Sequence, residues 1–338
     1  MISERQKLNN NFKEKNYYNI CKMIFLFILL FSFLILSFIS KKKNPKFNKY
    51  NTNLSNIDFD KSTELIQEGL NNDYNNCQYV KNELDKRIQP FDYEHELIFI
   101  ISLISCGIPF SFSRFGDGEG DIMSGKNRTG FSDNWHWDQK NQKFRESLIH
   151  SASICSKDYN FIAICCRNYA KISELILSFS NCTTSKYMSY ATLFVNKNFP
   201  KFKDWIVGFI NKSNRWKIIL VANSNINKNI SWAHKFFPVS ERIVEKWEEI
   251  NISLLSKLSK EAQQNNLIFF ISAGPAANII ISHLVKINNK NIYIDLGSSI
   301  EFITKGYSTR EYVKKSDRNA NKTCERFIYQ NKKFIYQE

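Results

Sequence analysis

Between Glu94 and Glu301 the chain alternates short apolar runs with longer amphipathic stretches, and this alternation limits the fold more than any other feature. Phe161 to Cys166 and Leu267 to Ser272 are continuous apolar runs, as in strands covered on both faces by helices. Trp216 to Ala222, Tyr187 to Val195 and Asn291 to Leu296 read as further strands. Between them, Glu94–Cys106, Gln142–Ile154, Phe199–Ile210, the stripe from Ile243 to Leu258 and Ala276–Val285 carry helical spacing. Gly107 is placed to stop the first of these helices and Ser240 to cap the fourth. Strands alternating with helices predict a Rossmann-like α/β fold, a largely parallel sheet with helices on both faces.

The chemistry concentrates in Ser111–Asp121, S-F-S-R-F-G-D-G-E-G-D. It reads as a pleated strand running into a loop where Gly116, Gly118 and Gly120 alternate with Asp117, Glu119 and Asp121. Close carboxylates repel unless a cation sits among them, and their hard oxygens suit magnesium, manganese or calcium. A solvated acidic turn is the plain alternative. An EF-hand loop counted from Asp117 fails, because its sixth and twelfth positions hold Ile122 and Arg128. A dinucleotide loop fails because the spacing is G-x-G-x-G with acids interposed. Arg114 is a candidate phosphate or carboxylate partner.

Leu267 to Leu296 reads as a β-α-β unit, with Ala273–Gly274 as its turn and Pro275 as the first residue of its helix. Small residues there expose backbone N–H groups, either to an anion or simply to close packing. Asp295 and Gly297 end the last strand on the same edge as Ser272–Gly274, with Glu301 nearby. Asp295 or Glu301 could orient an acceptor hydroxyl or act as general base, or Asp295 could satisfy a neighbouring backbone group. Arg167 and Asn168 follow another strand at its carboxyl end, where ligands of open α/β sheets gather. Trp135, His136 and Trp137 form an aromatic loop suited either to stacking on a ligand or to clamping the core.

Three blocks, R-F-G-D-G-E at Arg114–Glu119, S-A-G-P-A-A-N at Ser272–Asn278 and Y-I-D-L-G-S-S at Tyr293–Ser299 followed by K-G-Y-S-T-R-E-Y from Lys305, resemble the GT-D type glycosyltransferases. The resemblance covers roughly Glu94 to Ser316. It implies transfer of a sugar from a nucleotide-sugar donor, a UDP-sugar first among candidates, to a glycan or glycoconjugate. It also implies a divalent metal, Mn2+ or Mg2+, held by Asp117 and Glu119. Arg114, Gly116, Gly118, Arg167, Asn168, Ser272, Gly274 and Gly297 are then expected at the donor, with Asp117, Glu119, Asp295 and Glu301 as the catalytic acids. An S-adenosylmethionine methyltransferase and a non-catalytic carbohydrate-binding protein are the alternatives.

The 338 residues carry a net charge of +15, spread through a chain rich in Lys and Asn rather than gathered in one patch. No interleaved basic and aromatic module is present, so nucleic acid is not an expected partner. Residues 1–22 are polar, and 23–40 form an uncharged apolar run about 27 Å long as a helix at ~1.5 Å per residue. That run predicts a transmembrane signal anchor, a single-pass protein with its enzyme domain in the lumen of the Golgi or endoplasmic reticulum. Residues 41–90 read as a stem and 91–338 as the catalytic domain. None of the eight cysteines forms C-x-x-C, which argues against a structural zinc site.

Overall fold

The computed structural model describes residues 74–128, 135–154, 159–180, 182–212, 216–226, 230–308, 321–330 and 333–337. The chain divides into two units, Met1–Ile57 and Asp58–Glu338, and every described residue belongs to the second. In chain order the elements are α1 (Tyr74–Lys86), α2 (Tyr93–Cys106), β1 (Phe110–Arg114), α3 (Asp117–Met123), α4 (Gln142–Ser151), β2 (Asn160–Ile164), α5 (Ala170–Ser178), β3 (Met188–Tyr190) and α6 (Phe199–Lys212). They continue with β4 (Lys217–Asn223), β5 (Lys235–Val239), α7 (Trp247–Ala262), β6 (Leu267–Ser272), α8 (Ala276–Ile287), β7 (Ile292–Asp295), α9 (Glu301–Thr304), β8 (Arg326–Gln330) and β9 (Lys333–Gln337).

Seven strands form one sheet in the order β3-β2-β1-β7-β6-β4-β5, and every neighbouring pair is parallel. Helices cover both faces, so the central strands are apolar throughout: Ile268, Phe269, Phe270 and Ile271 are all fully buried. Each such side chain contributes roughly 1.5–3 kcal/mol through burial. Helix α8 packs on β1 and β7. Helix α2 starts at Asp92, whose side chain accepts from the His95 N–H at 3.1 Å. It ends at Gly107, whose left-handed φ of 64° lets its N–H reach back to the Ile104 carbonyl.

Adjacent strands β4 and β6 send the chain in opposite directions, β4 toward β5 and β6 toward β7. A crevice opens above carboxyl ends at such a reversal. The candidate site lies there.

Several elements differ from the sequence reading. The strand expected over Tyr187–Val195 is limited to Met188–Tyr190. Strand β5, K-F-F-P-V, carries Pro238, which lacks an N–H and is tolerated because β5 is an edge strand. The antiparallel hairpin β8–β9 forms a second, two-stranded sheet near the end of the chain. Within the stretch read as a stem, α1 buries Val80 and Leu84, and Cys77 is joined to Cys106 of α2. A second disulfide, Cys166–Cys324, ties the end of β2 to the segment before β8.

The membrane expectation is corrected. Among the described residues no helix is long and apolar enough to cross a membrane. The apolar run 23–40 on which the expectation stood lies outside the described residues. The fold is therefore an α/β domain, and the signal anchor, the membrane as a partner and the Golgi or reticulum placement have no support in the structure.

Candidate functional site

One cleft is built over the carboxyl ends of β1, β7, β6, β4 and β5. It gathers Arg114 from the first sequence block, Ser272–Gly274 from the second and Gly297–Ser298 from the third. Asn278, in the second block, is fully buried and its Nδ2 donates to the backbone carbonyl of Arg114 at 2.8 Å. That bond ties the start of α8 to the end of β1.

The acidic stretch is not a loop. Residues 117–123 form helix α3, and Glu119 reaches back to accept from the Gly116 N–H at 2.8 Å. This satisfies one of the orphan donors at a helix start, and acids in a first turn also suit the helix dipole. The helix has a chemical consequence. Side chains two residues apart on a helix point to different sides. Asp117 accordingly turns to Arg128 (Nη2–Oδ2 3.0 Å), which also binds Asp121 at 2.6 Å, while Glu119 turns to Gly116 and the cleft. Both residues nonetheless line the cleft. Among the described residues no group of three or more His, Cys, Asp or Glu side chains could hold a metal ion. The expectation of a metal-binding cluster at the D-x-E stretch is corrected to that extent, and no chemical step is routed through a metal.

At the centre lies a tight charged cluster. The Arg114 guanidinium contacts Asp295 at 3.3 and 3.4 Å and the Ala191 carbonyl at 3.3 Å. Asp295 also accepts from the Gly297 N–H at 2.9 Å, so it does satisfy a neighbouring backbone group. Burial raises the Asp295 carboxyl above its ordinary range, an effect that Arg114 opposes. Burial, reinforced by the Asp295 charge, pushes Glu119 up to about 7.

Gly297 is required by this cluster. Its φ is +49°, and a Cβ there would lie 1.7 Å from Arg114 Nη2. Gly274, at φ +54°, and Gly118 lie under the Trp135 ring, which a Cβ would meet at 3.0 and 2.8 Å respectively. The aromatic loop therefore splits its work. Trp135 lines the cleft, Trp137 is buried with its Nε1 bonded to the Asn141 carbonyl, and His136 pairs with Glu245 at 2.9 Å.

Other sequence candidates fall differently. Glu301 lines the cleft, but its carboxylate is held by Lys305 at 3.2 Å and Ser308 at 3.4 Å. Arg167 and Asn168 are exposed and do not line it. Arg167 pairs with Glu325 at 2.9 Å and sits over the Tyr336 ring. Lys305, Asn223 and Glu241 line the cleft without having been singled out as site residues. The place of Lys305 at the head of K-G-Y-S-T-R-E-Y was the legible signal for the first.

No protein-family model matches the chain, and no curated protein matches it significantly. Among solved structures, the chain is distantly similar to a selenomethionine-substituted domain of unknown function 1792, with 17% identity, 71% of this chain and 84% of that chain covered, and a TM-score of 0.43. It is similar at the same coverage, with 15% identity and a TM-score of 0.40, to a structure of that domain described as having a distinct glycosyltransferase fold. At these scores the likeness is a loose one of overall arrangement and says nothing of individual residues.

Proposed function

We propose that the chain is a nucleotide-sugar-dependent glycosyltransferase. The observation that carries this reading is the meeting of the three sequence blocks around one cleft, although Arg114 and Gly297 lie far apart in the chain. In such a transfer an acceptor oxygen bonds to the anomeric carbon while the bond from that carbon to the diphosphate breaks. Negative charge builds on the departing diphosphate, and fixed donors aimed at that charge lower the barrier.

Arg114 and the backbone around Gly274 and Gly297 supply a polar floor for the donor. Glu119 is the acid–base candidate. A carboxyl held near 7 is matched to proton exchange at neutral pH, and it is positioned on the cleft to take the acceptor's hydroxyl proton. Asp117, turned to Arg128, shapes the cleft wall rather than the reacting centre in this reading.

The test is release of nucleoside diphosphate by the full chain from a panel of nucleotide sugars with mixed glycan acceptors, with and without manganese or magnesium. Release from one donor class, reduced at least a hundredfold in Glu119→Gln, is the expected result. No release from any donor, together with saturable binding of S-adenosylmethionine, would overturn the reading.

A further inference from the structure

The charges around the cleft are unevenly matched. Among the described residues that line it, the carboxylates are Asp117, Glu119, Glu241 and Glu301, and the cations are Arg114 and Lys305. An anionic ligand is repelled by the carboxylates and drawn to the cations. Arg114 shares its donors with Asp295, which it contacts at 3.3 and 3.4 Å, and folds over Gly297. Lys305 is in a different position. Its residue is 8% exposed, and its ammonium is bonded to Glu301 Oε1 at 3.2 Å. An ammonium carries three N–H donors, and one carboxylate contact leaves capacity for an oxyanion on the cleft side.

We propose that Lys305 is a phosphate-binding cation of this cleft beside Arg114, with Glu301 as the carboxylate that positions it. The proposal deepens the nucleotide-sugar reading and rests on it, since the phosphate would be that of the donor's diphosphate. The geometry favours this role over a purely structural pair. Glu301 is one turn before Lys305, so the two can hold each other without a third element, yet both face the cleft. Ser308 also donates to Glu301, which keeps the carboxylate in place when the ammonium turns toward a ligand. A lysine suits this task because it binds phosphate as a mobile point charge.

The experiment is calorimetric titration of the full chain with inorganic pyrophosphate, with UDP, GDP and ADP, and with uridine, on the wild type, Lys305→Met and Glu301→Gln. Lys305→Met is expected to weaken pyrophosphate and UDP at least tenfold and to leave uridine binding within twofold. Glu301→Gln keeps an acceptor oxygen to position the ammonium and removes the competing charge, so pyrophosphate is expected to bind as tightly as to wild type or more tightly. A smaller loss in Lys305→Met overturns the proposal, as does failure of the wild type to bind pyrophosphate. Should Lys305→Met not fold, a tenfold or greater weakening in Glu301→Gln overturns it instead. Pyrophosphate binding that depends on Lys305, with no binding of UDP, GDP or ADP, would sustain the anion site and sink the nucleotide-sugar reading.

Discussion

Two buried arginine–carboxylate clusters in this molecule are built to opposite standards. Arg87 and Glu96 are fully buried and meet fork to fork at 2.7 and 2.8 Å. Two further Arg87 donors go to the carbonyls of Lys186 and Met188, both at 2.7 Å, and Glu96 accepts the Phe91 N–H at 3.0 Å. The guanidinium is also enclosed by the rings of Phe91, Phe99 and Phe161. Around Arg114 the contacts to Asp295 are 3.3–3.4 Å, Nε lacks a well-aligned acceptor, and a second carboxyl, Glu119, stands nearby. A saturated cluster has nothing left to offer a ligand and serves the fold by fixing α2 against β3. An undersatisfied one beside a cleft retains donor capacity and a titratable acid, which is what a binding site needs.

The largest effect expected from this contrast is at Arg87. Arg87→Met leaves Glu96 buried and unpaired and should cost about 3–5 kcal/mol in denaturant unfolding. Arg114→Met should cost distinctly less, because the Arg114 side chain is 17% exposed at the cleft and water can reach the vacated space. Equal losses in the two variants would break the comparison.

Next comes the pH dependence of Glu119. Its folded pKa of about 7 lies above the ordinary value of 4.5. Between those values the unfolded chain gives up the proton while the folded chain keeps it. Stability from this group is therefore full below the ordinary pKa and is lost as pH rises through about 7. Going from pH 4.5 to 8, the wild type should lose about 2–3 kcal/mol that Glu119→Gln does not lose. Parallel urea midpoints for the two proteins would contradict the raised pKa.

The smallest effect on stability is expected at Gly297. Gly297→Ala forces a side chain into left-handed backbone, at about 1–2 kcal/mol, and displaces the Arg114 guanidinium. Ligand affinity should fall by a larger factor than stability, and a variant that melts lower yet binds normally would show that Arg114's position is unimportant.

How far these features could be read in the sequence depends on what each residue contacts. Strands β2, β4, β6 and β7 announce themselves because burial on both faces demands largely apolar runs, and β1 by its alternation of Phe and Ser. The end of α2 at Gly107 was equally legible, since a left-handed cap has few alternatives. β5 was hidden by Pro238, and the β8–β9 hairpin by its polar, tail-like setting. The acidic stretch misled for a more instructive reason. Alternating glycine and acid reads as a loop, but Glu119 bonding back to the Gly116 N–H starts a helix, and the helix gives Asp117 and Glu119 different partners. Arg128, which meets Asp117 from the far side of a turn, carries no local signal of that pairing.

The most direct test of the central claim, that the undersatisfied Arg114 cluster marks a nucleotide-diphosphate site, is the unfolding free energy of the full chain with and without UDP, GDP or ADP, for the wild type and Arg114→Met. At ligand near 100 times its dissociation constant, the wild type should gain about 2.7 kcal/mol with one of the three, and Arg114→Met should gain nothing at the same concentration. An equal gain in both proteins, or none in the wild type with any of the three, would contradict the account.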